Sequence, residues 1–107
     1  MSVIERIKEQ LNSNSVILYM KGTPEFPQCG FSGKTVQLLD ACGAQYAYVN
    51  IFEDPEIREA LKEYSNWPTF PQLFIKGELV GGCDIVSDLY SKGELPKMLA
   101  DAGAASA

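Results

Sequence analysis

The chain contains no histidine, which removes imidazole acid/base catalysis and every histidine-ligated metal site from consideration. Chemistry must therefore run on sulfur, carboxylate or amine. Cysteine is sparse: Cys29, Cys42 and Cys83 are odd in number and widely spaced, a poor framework for structural disulfides and one that fits a reducing compartment. Basic residues are outnumbered, nine Lys and Arg against fourteen Asp and Glu, so the chain lacks the cationic excess needed to track a phosphate backbone, and no nucleic acid partner is expected. The main apolar run, Val16 to Met20, is far too short to cross a bilayer. The opening Met1-Ser2-Val3-Ile4-Glu5-Arg6 shows neither the basic start and apolar stretch of a secretion signal nor an arginine-rich, acid-poor transit character. A cytoplasmic protein with no membrane partner is the expectation.

At 107 residues, 46% of them apolar and 21% charged, the chain fits one ordinary domain with its own core. Ser2-x-x-Glu5 is a capping box ahead of Val3, Ile4, Ile7 and Leu11 on one helical face, and predicts a first helix. Val16-Ile17-Leu18-Tyr19-Met20 reads as a central strand covered on both faces. Gly22, Pro24 and Pro27 make residues 21–28 a loop, and helical spacing resumes through Val36, Leu39 and Cys42 until Gly43. Tyr46 to Ile51 reads as a strand, and Asp54-Pro55 supplies the cap and first-turn proline of a helix carrying Ile57, Leu61 and Tyr64. Prolines exclude helix from Trp67 to Pro71; Leu73-Phe74-Ile75, Lys76-Gly77-Glu78 and Leu79-Val80 then predict a hairpin. Asp84 is placed to cap a helix bearing Ile85 and Leu89, with a last short helix through Leu95, Met98 and Leu99. This order implies an α/β domain over residues 1–101, with a four-stranded mixed β-sheet flanked by helices. Residues 102–107 are expected to be a flexible, frayed C-terminal tail.

Cys29 falls at a loop-to-helix junction, near Lys21 and Lys34. A helix N-terminus, neighbouring cations and solvent access all favour thiolate, so a lowered thiol pKa is predicted. The rival reading is a small buried filler, but a cysteine beside glycine in a proline-rich loop has little apolar surrounding to fill. Cys29-Gly30-Phe31-Ser32 has the spacing of a dithiol redox motif with serine in place of the second sulfur. A mixed disulfide at Cys29 must then be resolved by a separate thiol or by a more distant cysteine such as Cys83.

Four segments together carry a specific resemblance: Lys21-Gly22-Thr23-Pro24, Pro27-Gln28-Cys29-Gly30-Phe31-Ser32, Trp67-Pro68-Thr69-Phe70-Pro71-Gln72 and Gly81-Gly82-Cys83-Asp84. In this order and spacing, over nearly the whole chain, they resemble the monothiol glutaredoxins. The resemblance is to single-domain members, since no thioredoxin-like segment precedes Ser2. It implies a thioredoxin-like fold with a cis bond before Pro71, turning the Phe70 backbone toward Cys29; the residues alone would have Pro71 merely break a strand. It also implies a glutathione pocket in which Lys21 and Arg58 hold the glycine carboxylate and Phe70 pairs with the cysteinyl backbone. Cys83 and Asp84 would receive the glutamyl end, with Gly82 allowing close approach. Each role has a plainer rival: Lys21 and Arg58 as solvated charges, Asp84 as a helix cap, Cys83 as filler. Cys42 reads as core, and Trp67 and Tyr19 as packing.

A [2Fe-2S] cluster normally takes four ligands. One chain offers one convincing thiolate. Two chains with one Cys29 each, completed by two glutathione thiolates, meet the count, and the resemblance implies this cluster-bridged homodimer acting as an iron-sulfur carrier toward client apoproteins, with BolA-like proteins as heterodimer partners. The enzyme alternative is glutathione-dependent thiol-disulfide exchange through Cys29. Two further readings compete. One is a redox-silent peptide-docking module. The other is a nucleotide site at Gly30-x-x-Gly33-Lys34-Thr35, whose required first glycine is Gln28 and whose loop carries Pro27.

Overall fold

The computed structural model describes residues 1–105. Helix α1, Val3–Ser13, begins behind a complete capping box: Ser2 Oγ accepts from the Glu5 amide and Glu5 Oε1 from the Ser2 amide, each at 3.1 Å. Strand β1 (Val16–Met20), helix α2 (Gly30–Ala41) and strand β2 (Ala47–Asn50) follow. Helix α3, Pro55–Ser65, starts on a proline already set for helical φ, with Asp54 Oδ1 accepting from the Ile57 amide at 3.2 Å. Strands β3 (Gln72–Ile75) and β4 (Glu78–Gly81) form the expected hairpin. Its two turn residues, Lys76 and Gly77, both take positive φ, as a tight two-residue turn between twisted strands requires. Helices α4 (Cys83–Ser91) and α5 (Glu94–Asp101) complete the chain order.

The sheet order is β2-β1-β3-β4, with β1 parallel to β2 and antiparallel to β3, and β3 antiparallel to β4. Every β1 residue is buried, and the strand's two-residue period explains its unbroken apolar run. Val16, Leu18 and Met20 face a core built with Val36 and Leu39 of α2, Val86 of α4 and Leu95 and Leu99 of α5. Ile17 and Tyr19 face the opposite core, with Ile7 and Leu11 of α1, Ile57 and Leu61 of α3, and Phe74. Tyr19 and Phe74 meet edge-on with ring centroids 5.6 Å apart, and Tyr19 Oη donates to Gln10 Oε1 at 2.8 Å, so its one polar atom is satisfied.

Register places the working end. Met20 pairs with Asn50 at the carboxyl ends of β1 and β2, Tyr19 pairs with Gln72 at the start of β3, and Leu73 pairs with Gly81 at the end of β4. Four connecting segments therefore emerge at one edge of the sheet, the usual location for ligand sites in such folds.

The C-terminal segment differs from the expected tail. Ala104 is buried among the α2 and α5 side chains, its carbonyl accepts from the Gln45 amide at 2.7 Å, and its amide donates to Leu99 O at 2.9 Å. Alanines are small enough to fit against a packed helix pair, and two backbone bonds hold the segment down. The rest of the expected tail, residues 106–107, lies outside the described residues.

Candidate functional site

Cys29 is the N-cap of α2 and makes no side-chain cap bond. The helical ladder opens with the Gly33 amide donating to Cys29 O at 2.9 Å, which leaves the amides ahead of it free to serve the thiol. The Ser32 amide is the main influence holding the Cys29 thiol below its ordinary value; partial burial opposes it, while the Phe31 amide, the Lys21 ammonium and the Ser32 hydroxyl lower it further. The lowered thiol predicted from sequence is therefore present, but the cation responsible is Lys21. Lys34 lines the shallow depression around Cys29, with Pro27, Gln28 and Gly33.

A groove of about 450 Å³ runs beside the thiol, lined by Lys21, Phe31, Phe70, Pro71, Cys83 and Asp84, with Trp67 and Ile85 among its walls. The structure thus brings together Lys21, Phe70, Cys83 and Asp84. Cys29 sits on its flank, connected through Lys21 and Phe31. Arg58 lines neither the groove nor the depression. It stands on the first turn of α3, with Nη1 3.4 Å from Glu59 Oε2 and a buried Nε that has no hydrogen-bond partner among the described residues.

The Phe70–Pro71 bond is cis. Phe70 is only 6% exposed and packs in the core beneath α1 and α3, which leaves its main chain as the part available to the groove. At the far end Gly82 is the N-cap of α4, with Cys83 and Asp84 in its first turn. Asp84 does not cap the helix as the sequence suggested. The helix starts two residues earlier than that role requires, Gly82 has no side chain to cap with, and the Asp84 carboxylate is left exposed. A Cβ on Gly82 would crowd Pro71 O at 3.3 Å and reach ordinary contact with Trp67 Nε1 at 3.5 Å. Helices α1 and α3 are capped by side chains, whereas α2 and α4 present uncapped, electropositive N-termini beside the groove. Helix α5 also starts without a side-chain cap, at Gly93, but none of its residues line the groove.

Three contributors were given no bracing role by the sequence, although Ser32 and Gln72 stand in the motifs that carry the resemblance. Ser32, fully buried, accepts from the Lys21 amide at 3.1 Å, so it braces the loop as well as the thiol. Asn50 Oδ1 accepts from the Gly22 amide at 3.0 Å. Gln72, also fully buried, donates through Nε2 to Trp67 O at 3.0 Å and Thr69 O at 3.1 Å, and so shapes the groove wall that Trp67 forms.

Cys83 Sγ lies 3.9 Å from Ser87 Oγ, and all three cysteines are free. Cys42 packs partly buried against the core, as expected, and burial raises its thiol. The nucleotide reading fails in three dimensions too: Thr35, which a phosphate loop would present to magnesium, is buried and donates to Phe31 O at 2.9 Å.

A mixed four-stranded sheet with helices on both faces, a cysteine at a helix N-terminus and a cis-proline in the neighbouring groove define a thioredoxin-like domain. The glutaredoxin family model matches residues 16–80. Glutaredoxin 4 of Buchnera aphidicola from Acyrthosiphon pisum is 54% identical over 99 residues, covering 92% of each chain. Among solved structures, reduced poplar apo GrxS14 superposes with a TM-score of 0.81 at 48% identity, covering 94% of this chain and 92% of that one. A buckwheat glutaredoxin-glutathione complex gives 0.86 at 28% identity, covering 97% and 93%. The chain belongs to the glutaredoxin family, and with serine at position 32 it is of the monothiol type. No helix among the described residues is long and apolar enough to cross a membrane.

Proposed function

We propose that this glutaredoxin binds glutathione in the groove and carries a [2Fe-2S] cluster, as cargo, between two copies of the chain. The observation that carries the reading is one activated sulfur beside a groove of opposed charge. Lys21, Asp84 and the open N-terminus of α4 all border it, a set of charges that suits a tripeptide with two carboxylates and one ammonium. Arg58, which does not line the groove as it stands, would swing its half-exposed guanidinium in to join Lys21 at the glycine carboxylate. The Phe70 main chain would pair with the cysteinyl backbone, and the amides of Cys83 and Asp84 would take the glutamyl carboxylate. The relative solved with glutathione has the same fold.

Ligand arithmetic supports the cluster reading. Among the described residues no three His, Cys, Asp or Glu side chains gather where they would hold a metal ion, while two irons normally take four thiolates. Two Cys29 thiolates and two glutathione thiolates complete the set, and the untethered half of it makes hand-over to client apoproteins easy. BolA-like proteins would replace one copy in a heterodimer, and the cytoplasm is the compartment.

Anaerobic reconstitution with iron, sulfide and glutathione tests this reading. Wild type should give visible cluster absorption and a dimer mass with two glutathiones, and Cys29→Ser should give neither. A monomer that keeps its iron after glutathione is removed would refute it. The lowered Cys29 thiol favours a second reading, deglutathionylation by thiol-disulfide exchange. Fast turnover on a glutathionylated substrate by protein that reconstitutes no cluster would select it.

A further inference from the structure

The two amides that follow β1 are each held by a side chain from a different element. Lys21 N–H donates to Ser32 Oγ of α2 at 3.1 Å, and Gly22 N–H donates to Asn50 Oδ1 at the end of β2 at 3.0 Å. The same Asn50 oxygen also accepts from the Phe52 amide at 3.0 Å, the Asn50 carbonyl accepts from the Glu53 amide at 3.0 Å, and Asn50 Nδ2 donates to Glu53 Oε1 at 3.3 Å. The next residue, Asp54, caps α3, and the Arg58 amide bonds to Asp54 O at 3.0 Å. One carbonyl oxygen thus ties the turn bearing Lys21 to the turn that launches the helix bearing Arg58.

We infer that Asn50 is a positioning residue that sets the spacing of Lys21 and Arg58 and so governs recognition of the glycine carboxylate of glutathione. The inference rests on the assignment of those two cations to that carboxylate. Asn50 itself does not line the groove, so it acts through the two backbones it joins. An asparagine oxygen accepting two amides fixes two chain segments against each other, a constraint that neither a methyl group nor a shorter hydroxyl reproduces.

The test uses mixed-disulfide exchange. The Cys29 thiolate attacks one sulfur of glutathione disulfide; one S–S bond forms, one breaks, and one glutathione thiolate leaves, with no net oxidation. The same exchange is run with the disulfide of γ-glutamylcysteine, which lacks the glycine carboxylate. The ratio of the two equilibrium constants, read by intact mass, cancels any change in thiol reactivity or general stability. Wild type should favour glutathione. Asn50→Ala should reduce that preference about tenfold, the size of a lost hydrogen-bond constraint at the carboxylate end. Asn50→Asp, which keeps the acceptor, should stay within about threefold of wild type. Where Asn50→Ala does not fold, Asn50→Ser carries the same expectation. Retention of the wild-type ratio by the alanine or serine variant overturns the inference, as does a collapse of the ratio in Asn50→Asp equal to that in Asn50→Ala. A wild-type protein showing no preference at all would instead overturn the carboxylate assignment beneath it.

Discussion

Replacing Gly22 by alanine should disable the site by a route that involves no chemical group of the site. Gly22 holds φ +93°, and a Cβ there would lie 2.5 Å from Phe26 O, 2.7 Å from Gln28 N and 2.9 Å from Gln28 Cγ. Positive φ alone costs an alanine about 1–2 kcal/mol. The two nearest obstacles are backbone atoms, and they do not yield freely: Gln28 N–H donates to Lys21 O at 2.9 Å, and Gly22 bridges to Pro27 across the loop. Opening that bridge adds about 1–3 kcal/mol for the disrupted hydrogen bonds and strained packing. The sum, about 2–5 kcal/mol, is a large share of the 5–15 kcal/mol by which domains are typically stable. Gly43→Ala is the control, because its φ is +66° but its Cβ would meet nothing within 4 Å. It should lose only the conformational part, about 1–2 kcal/mol. Thermal unfolding followed by circular dichroism should place the Gly22→Ala midpoint well below that of Gly43→Ala, by about 4–8 °C for each extra kcal/mol. Equal midpoints would show that the loop yields easily and would refute the argument that it is rigid.

Removing the Ser32 hydroxyl with Ser32→Ala takes one lowering influence from Cys29 and the acceptor from the Lys21 amide. Alkylation of Cys29 by iodoacetamide should therefore shift its midpoint to higher pH, and an unchanged profile would remove Ser32 from the account. The Cys29 thiol is held below the ordinary value of 9.0, so the folded state gains stability as the group ionises. That gain is fully present above pH 9 and is lost as pH falls through the lowered folded value. Wild type should accordingly gain in melting temperature over Cys29→Ser as pH rises toward 9; a constant difference across that range would contradict it. Gln72→Leu strands the Trp67 and Thr69 carbonyls that its amide now serves, at about 1–3 kcal/mol. Trp67 is the only tryptophan, so its emission should report the displaced groove wall, and an unaltered spectrum with unaltered stability would count against that role.

Much of the fold was legible because local rules and packing agree. The Ser2-x-x-Glu5 box, Asp54-Pro55 and the Lys76-Gly77 turn each state a backbone conformation that the structure adopts. The start of α4 was misplaced because Asp84 looks like a cap, whereas the preceding glycine suits an open helix end beside a groove. The C-terminal alanines looked like a tail because small residues carry no amphipathic signal, although Ala104 fits a gap that only packed helices create.

Composition and order alone settled the chemistry available to this protein: sulfur without imidazole, one cysteine in a motif spaced for two, and an apolar strand that had to be central. These are properties of residue type and near-neighbour spacing, which short-range sterics and hydrophobic periodicity translate directly. Which groups meet was decided by the sheet register, since Met20 beside Asn50 and Tyr19 beside Gln72 bring together loops far apart in the chain. That is why the bracing roles of Ser32, Asn50 and Gln72 emerged only in three dimensions: they consist of hydrogen bonds to backbone amides and carbonyls, groups that every residue carries and that no sequence pattern distinguishes.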